Sequence, residues 1–476
     1  MKQRTKAILL IITVILPLLI LSVIAVFIVP PQYKNTFLAE LSEKYTRLKS
    51  IDEPKIILVG GSNLAFGLDS RDLEKETGLP VVNFGLYASL GTKAMMDLSK
   101  SSIHKGDIVV LCPELDAQTL SLYYNGETMW QALDCNYSML LDVGFANYGK
   151  LLGSFPAFAS EKFKFYRSGK TPNPKGVYQK SSFNKYGDIV YKRKYNNMML
   201  EYDPTHMITL TPSIVDEKFV AYVNQYASLV RRHGAKIYFS FPPMDKAALE
   251  KNTTDKTILS FYQYLGEKLN VEIISNINGY LLDSGYFYDT NFHLNDTGVK
   301  VRTSLLAEDV MRAMEQKTVK ELSFPPAPIR PKDYFETVVA DDTSGFFTYK
   351  ETQGGVMLSG VTPKGVSKKE ITIPSSFEGK PVLSIQKGAF SKCQSLKIVI
   401  VGENSNIKQL YDGTFRGAKN LERVEIHILP GKFSVGLKLL QGTKDGCKVV
   451  IPRDLYGDYA TDYIWSQMMS NVTILE

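Results

Sequence analysis

The sequence predicts an α/β protein: a five-stranded parallel sheet with helices on both faces, preceded by an apolar amino-terminal helix and followed by a repetitive carboxyl-terminal part. Three observations carry this. Short, β-branched apolar runs alternate with helix-length segments between residues 53 and 316, which is the pattern of βαβ units. An uncharged apolar run covers Ala7 to Val29. Beyond a proline-rich stretch that begins at Phe324, related segments recur with a period of roughly 20–25 residues.

The chain has 476 residues, too many for one ordinary core, so several domains are expected. A net charge of +7 is modest for this length. There is no arginine-rich run, and nucleic acid is not an expected partner. The four cysteines, Cys112, Cys135, Cys393 and Cys447, form no CxxC pair, so a metal site is not expected; no cofactor is expected either. A Cys112–Cys135 disulfide is left open.

From the amino terminus, Lys2, Arg4 and Lys6 precede the run Ala7–Val29. At helical rise that run is roughly 34 Å long, enough to cross a bilayer, and basic residues before it favour a cytoplasmic amino terminus. It ends in Val29-Pro30-Pro31 without the small-residue site of a cleaved signal peptide. The expectation is a cytoplasmic stub (1–6), a single-pass plasma-membrane anchor (7–29), and the bulk of the chain outside the cell. Residues 30–52 carry Tyr33, Phe37, Leu38, Leu41, Tyr45 and Leu48 at near-helical spacing and read as an amphipathic juxtamembrane helix.

The α/β domain is expected over 53–320. Lys55–Val59, Pro80–Phe84, Asp107–Cys112, Ala235–Phe241 and Val271–Ser275 read as strands. Ser70–Glu76, Thr92–Ser101 and Asp296–Met314 read as helices. Residues 120–210, rich in Tyr, Asn and Lys, fit the alternation poorly and are expected to ride over the carboxyl edge of the sheet as an insertion. FPPAPIRPKDY lies in an expected linker, 321–344. The segments ITIPSSFEGKPVLSIQKGAFSKCQSLKIVIV and IKQLYDGTFRGAKNLERVEI, with VVIPRDLYGDYATDYIWSQMMSNVTIL as a partial third, suggest a short leucine-rich solenoid over 345–476.

Within the first strand–turn, IILVGGSNLAFGLDS (56–70) runs from a buried-type strand into two glycines that permit a sharp bend. Ser62 follows directly, where open α/β sheets place their ligands. It reads either as a nucleophile or as a turn residue bonding nearby backbone.

Two resemblances extend the reading. The carboxyl-terminal part is similar to the BspA-type leucine-rich repeats of bacterial surface proteins, through Ile373-Pro374, Gly379, Val382, Ile385, Gly388-Ala389-Phe390, Cys393, Leu396, Gly413, Phe415, Leu421, Val424, Ile451-Pro452 and Tyr459. This implies an adhesive or substrate-positioning surface module. The α/β part resembles the SGNH (GDSL-like) hydrolases, which implies a flavodoxin-like sheet. The matching blocks are Gly61-Ser62, Val82-Asn83-Phe84-Gly85, Cys112-Pro113-Glu114-Leu115-Asp116, and Tyr288-Asp289-Thr290-Asn291-Phe292-His293-Leu294-Asn295.

The resemblance implies Ser62 as nucleophile, His293 as base and Asp289 as the carboxylate holding the imidazole, with Asp283 and Asp296 as alternatives for that acid. It also implies an oxyanion hole from the N–H groups of Ser62 and Gly85. Glu114 stands where the family has asparagine, and an ionised carboxylate there would repel the developing charge, so either Glu114 points away or another donor such as Asn63 or Asn83 substitutes. Pro113-Glu114 is similar to membrane-anchored acyl-transfer members. The implied activity is an extracytoplasmic serine esterase or O-acyltransferase on a cell-envelope glycan or polymer. The acyl group would be acetyl first and D-alanyl second, delivered by a membrane-bound O-acyltransferase partner. The alternative is an inactive scaffold in a surface adhesion protein.

Overall fold

The computed structural model describes residues 13, 16–174, 176–198, 200–315, 322–331, 334, 342–462 and 464–475. Five strands form one sheet: β1 (Ile56–Gly60), β2 (Val81–Gly85), β3 (Ile108–Cys112), β4 (Lys236–Phe239) and β5 (Glu272–Ile273). They are ordered β2-β1-β3-β4-β5, and every pairing is parallel. β1, β2 and β3 are buried at every position, as both-face coverage demands. Alternate residues enter different cores. Ile57, Val59, Val109 and Leu111 join the large cluster with the helices Thr92–Ser99, Glu217–Arg232 and Asp255–Lys268. Ile56, Leu58, Ile108 and Val110 join a smaller one with Leu73, Leu306 and Val310 from the helices Ser70–Thr77 and Asp296–Ala313. The chain leaves β1 toward β2 and later returns to β3 on its other side, so the crevice between the ends of β1 and β3 is the topological switch point.

The expected membrane-spanning helix requires correction. No helix among the described residues is long and apolar enough to cross a membrane. The helix found there is Leu16–Phe27, 12 residues; the rest of the predicted anchor up to Ile12, with Thr13 aside, and the 1–6 stub lie outside the described residues, as do Val14 and Ile15. Its carboxyl end packs on protein. The Phe27 ring lies 4.9 Å from Tyr137 and 6.4 Å from Trp130, and the Val26 carbonyl accepts from Lys162 Nζ at 2.7 Å and Tyr137 Oη at 2.8 Å. Within residues 30–52 the expected amphipathic helix is found in part. A short 3-10 turn leads into the helix Glu40–Ser50, and Tyr33, Phe37, Leu38, Leu41, Tyr45 and Leu48 are all buried in the large core.

The leucine-rich solenoid expected over 345–476 is also corrected. Two sheets enclose a separate core. One is wholly parallel (Glu370–Thr372, Ile398–Val401, Arg423–Ile426, Lys448–Ile451 and Val472–Ile474). The other is mixed, because Phe347–Thr352 and Gly355–Val361 form an antiparallel hairpin and Ser376–Phe377 pairs antiparallel with Lys380–Ile385. A two-residue turn with Gly354 at φ 78° closes the hairpin, a conformation that glycine adopts without strain. Of the expected linker 321–344, Glu321, residues 332–333 and residues 335–341 lie outside the described residues. Cys112 and Cys135 are both free thiols.

Candidate active site

Gly60 and Gly61 take β1 into the helix Ser62–Gly67, whose first residue is Ser62. A side chain at Gly60 would sit 2.3 Å from the Cys112 carbonyl, so glycine is what lets β1 and β3 run this close at the switch point. The last helix, Asp296–Ala313, is capped by the Asn295 side chain, which accepts from the N–H groups of Thr297 and Gly298. Asn295 also donates to the carbonyls of Gly285 and Phe287, tying down the loop that precedes the helix. That loop carries Asp289 and His293.

His293 Nε2 is 2.8 Å from Ser62 Oγ, and His293 Nδ1 is 2.9 Å from Asp289 Oδ1. Ser62 is 2% and His293 1% exposed, so the pair is shielded from bulk water. The bond to Asp289 favours the tautomer with the proton on Nδ1, which makes Nε2 the acceptor for the serine proton. The other acid candidates are engaged elsewhere. Asp296 accepts from the Arg193 N–H, and Asp283 precedes a 3-10 turn without joining the histidine.

Two residues unsignalled by the sequence complete the base. Phe66, one turn along from Ser62, stacks face to face on the imidazole at 3.9 Å with an interplanar angle of 2°; the Arg193 guanidinium lies over the same phenyl ring at 5.2 Å. Tyr178, from the 120–210 insertion, donates to Asp289 Oδ2 at 2.8 Å. The insertion does reach the carboxyl edge of the sheet, and nothing in its own composition marks Tyr178.

The nominated oxyanion donors are mostly committed elsewhere. The Asn63 side chain donates to the Cys112 carbonyl at 3.0 Å, and its oxygen accepts from Arg302 at 3.3 Å. The Asn83 side chain donates to the Leu64 carbonyl at 2.9 Å and to Asp188 at 2.8 Å, while its oxygen accepts from the Gly85 N–H at 3.3 Å. Glu114 points into the site. Its Oε1 accepts from the Asn63 N–H at 2.8 Å and lies 3.2 Å from Ser62 Oγ, the longer of that hydroxyl's two contacts. Burial pushes its carboxyl above the usual range, and Asp116 adds to the shift.

Beside Asp289 and Tyr178, a cleft of about 70 Å³ runs between the two parts of the chain. Its carboxyl-terminal wall includes Lys408, Lys432, Asp462 and Trp465. Burial, reinforced by Lys432, lowers the Lys408 ammonium below its ordinary value, and burial pushes Asp462 up to about 6. Close by, Tyr87 Oη and Ser466 Oγ share a hydrogen bond of 3.0 Å between the two parts. Among the described residues no cluster of metal-ligating side chains forms.

No protein-family profile matches the chain, and no curated protein matches it.

Proposed function

We propose that the chain is a serine esterase or O-acyltransferase working through an acyl-serine intermediate, outside the cytoplasm, on a cell-envelope glycan or polymer. The observation that carries this is the unbroken hydrogen-bond chain Ser62–His293–Asp289 at the carboxyl edge of the sheet. A hydroxyl is a poor nucleophile until a neighbouring base takes its proton. His293 Nε2 is at the required distance, and the Asp289 carboxylate offsets the imidazolium charge that forms.

Ser62 Oγ attacks the acyl carbonyl while its proton passes to His293. The tetrahedral adduct collapses as His293 protonates the leaving oxygen, and water or an acceptor hydroxyl then releases the acyl group by the reverse sequence. A serine only 2% exposed supports a small acyl group, acetyl before D-alanyl. Delivery by a membrane-bound acyltransferase and a glycan acceptor rest on the SGNH resemblance alone.

A second reading, an inactive scaffold in a surface-binding protein, draws on the Glu114 contact with Ser62. A fluorophosphonate probe decides between them. Intact-mass analysis of the full chain is expected to give one adduct on wild type, none on Ser62→Ala and a weakened one on His293→Ala. A folded wild type that stays unlabelled makes the scaffold reading the correct one.

A further inference from the structure

Glu114 is the one acidic group among the described residues in direct contact with the candidate nucleophile other than through the histidine, and neither its burial nor its orientation suits an anion. Its Oε1 accepts from the Asn63 N–H and lies 3.2 Å from Ser62 Oγ, whose one proton points to His293. Its Oε2 is fully buried and has no hydrogen-bond partner among the described residues. An ideal Cβ at Gly61 would lie 2.1 Å from Oε2, so this oxygen fills the space left by the glycine immediately before Ser62. A carboxylate held this way would leave half its charge desolvated and unpaired.

The charged and titratable groups around it do not change that balance. Asp116, on the same loop, disfavours the anion. Arg302, from the last helix, ends on Asn63 Oδ1. His293, with Asp289 behind it, faces Ser62. No cation among the described residues pairs with Glu114. Burial accordingly raises its proton affinity.

Resting on the serine reading above, we propose that Glu114 is a catalytic residue that works as a neutral carboxylic acid, its Oε2–H donating a hydrogen bond to the substrate oxygen as that oxygen becomes negative. With Oε1 accepting from the Asn63 N–H, the proton belongs on Oε2, and an orphaned buried oxygen becomes a donor on the one acidic side chain that touches the nucleophile directly. The other nominated donors are spent within the fold: Gly85 N–H on Asn83, and the two asparagine side chains on carbonyls and Asp188. Ser62 N–H and Glu114 Oε2–H remain as the pair.

The step balances without net transfer from Glu114. The Oγ–C bond forms, the carbonyl π pair moves to oxygen, the Ser62 proton goes to His293 Nε2, and the Oε2 proton stays on Glu114. On collapse the bond to the leaving oxygen breaks, and that oxygen takes the His293 proton. A carboxylic acid donor does the work of the amide or N–H donors usual in such holes.

The test is kcat/KM on a chromogenic acetyl ester against pH for wild type, Glu114→Gln and Glu114→Ala, with fluorophosphonate labelling of each. Glutamine copies the neutral acid: its oxygen accepts and its amide donates. Glu114→Gln is expected to stay within about tenfold of wild type and Glu114→Ala to lose ~100–1000-fold. The wild-type rate is expected to fall as pH rises through the raised pKa of Glu114, and Glu114→Gln to lack that fall, which a merely structural role would not produce. If wild type is labelled and active but Glu114→Gln is as slow as Glu114→Ala, or keeps the same fall with rising pH, Glu114 is not the donor while the serine reading stands. A folded wild type that neither labels nor turns over ester removes both.

Discussion

Replacing Asp289 by Asn removes one charge and leaves the shape. Asp289 Oδ1 faces His293 Nδ1 at 2.9 Å and Oδ2 faces the Tyr178 hydroxyl at 2.8 Å. The amide has two settings. With its oxygen toward His293 the tautomer survives, the NH₂ turns to Tyr178, and only the charge is lost. With its NH₂ toward His293, Nδ1 must accept, Nε2 carries the proton, and Ser62 loses its base. In the first setting the loss is Coulombic: a full imidazolium 2.9 Å from the carboxylate is worth about 6 kcal/mol at an effective dielectric constant of about 20. Proton transfer is incomplete in the transition state, and the Asp289 side chain is 16% exposed, so part of this is screened. A fall in kcat/KM of roughly 1,000–10,000-fold, or about 4–5.5 kcal/mol, is the expected outcome. The assay is steady-state hydrolysis of a chromogenic acetyl ester, with circular dichroism to show that the fold is kept. A folded Asp289→Asn within about tenfold of wild type, well short of the loss just derived, would refute the role given to Asp289 and the reasoning from its two hydrogen bonds.

Other perturbations have equally definite outcomes. Gly61→Ala puts a methyl 2.1 Å from Glu114 Oε2 and 2.7 Å from its Oε1 and Cδ; it should cost about 1–3 kcal/mol in denaturant unfolding and weaken probe labelling of Ser62, and normal values for both would contradict the packing described. Glu114→Gln should change the pH dependence of stability. The native carboxyl holds its proton to higher pH than the unfolded one, so wild type is fully stabilised below the unfolded pKa and loses stability as pH rises toward the folded pKa. Melting curves of the Gln variant should lack that loss, and parallel profiles would mean Glu114 is not desolvated. Lys162→Met removes the counter-charge of Asp134, its 2.7 Å partner in a pair with both side chains 0% exposed, and leaves that carboxylate only the Gln32 and Tyr33 N–H groups and the Tyr137 hydroxyl; a loss of about 3–5 kcal/mol is expected, and a thermal melt unchanged from wild type would show the pair to be dispensable.

The parts of the site legible in the sequence are those specified within a few residues. Gly60-Gly61-Ser62 after a buried strand announces a bend with a serine at its tip, and Asp289 and His293 share one loop ahead of an Asn-capped helix. The strands were readable because burial on both faces selects unbroken β-branched runs such as IILV and IVVL. What was not readable depends on distant contacts. Tyr178 reaches Asp289 across 111 residues, and Glu114 turns toward Ser62 because Gly61 makes room for it. Phe66 looks like any core aromatic until His293 is laid on it. The amino-terminal expectation fails for a related reason: an apolar run does not announce how much of it packs on protein, and here Phe27 meets Trp130 and Tyr137 while Leu18 and Leu21 are exposed. Over 345–476 the spacing marked strands, but it did not mark the two-residue turn that reverses one of them and makes the sheet mixed.

The cleft beside Asp289 has one wall from each part of the chain. The Asp289 side of this cleft and its far wall are therefore inherited from different stretches of the gene. Drift in Lys408, Lys432 or the Pro430–Val435 segment reshapes the cleft while Ser62, His293 and Asp289 stay untouched. A truncation that kept only the amino-terminal part would remove one side of the cleft, together with the Tyr87–Ser466 bond beside it.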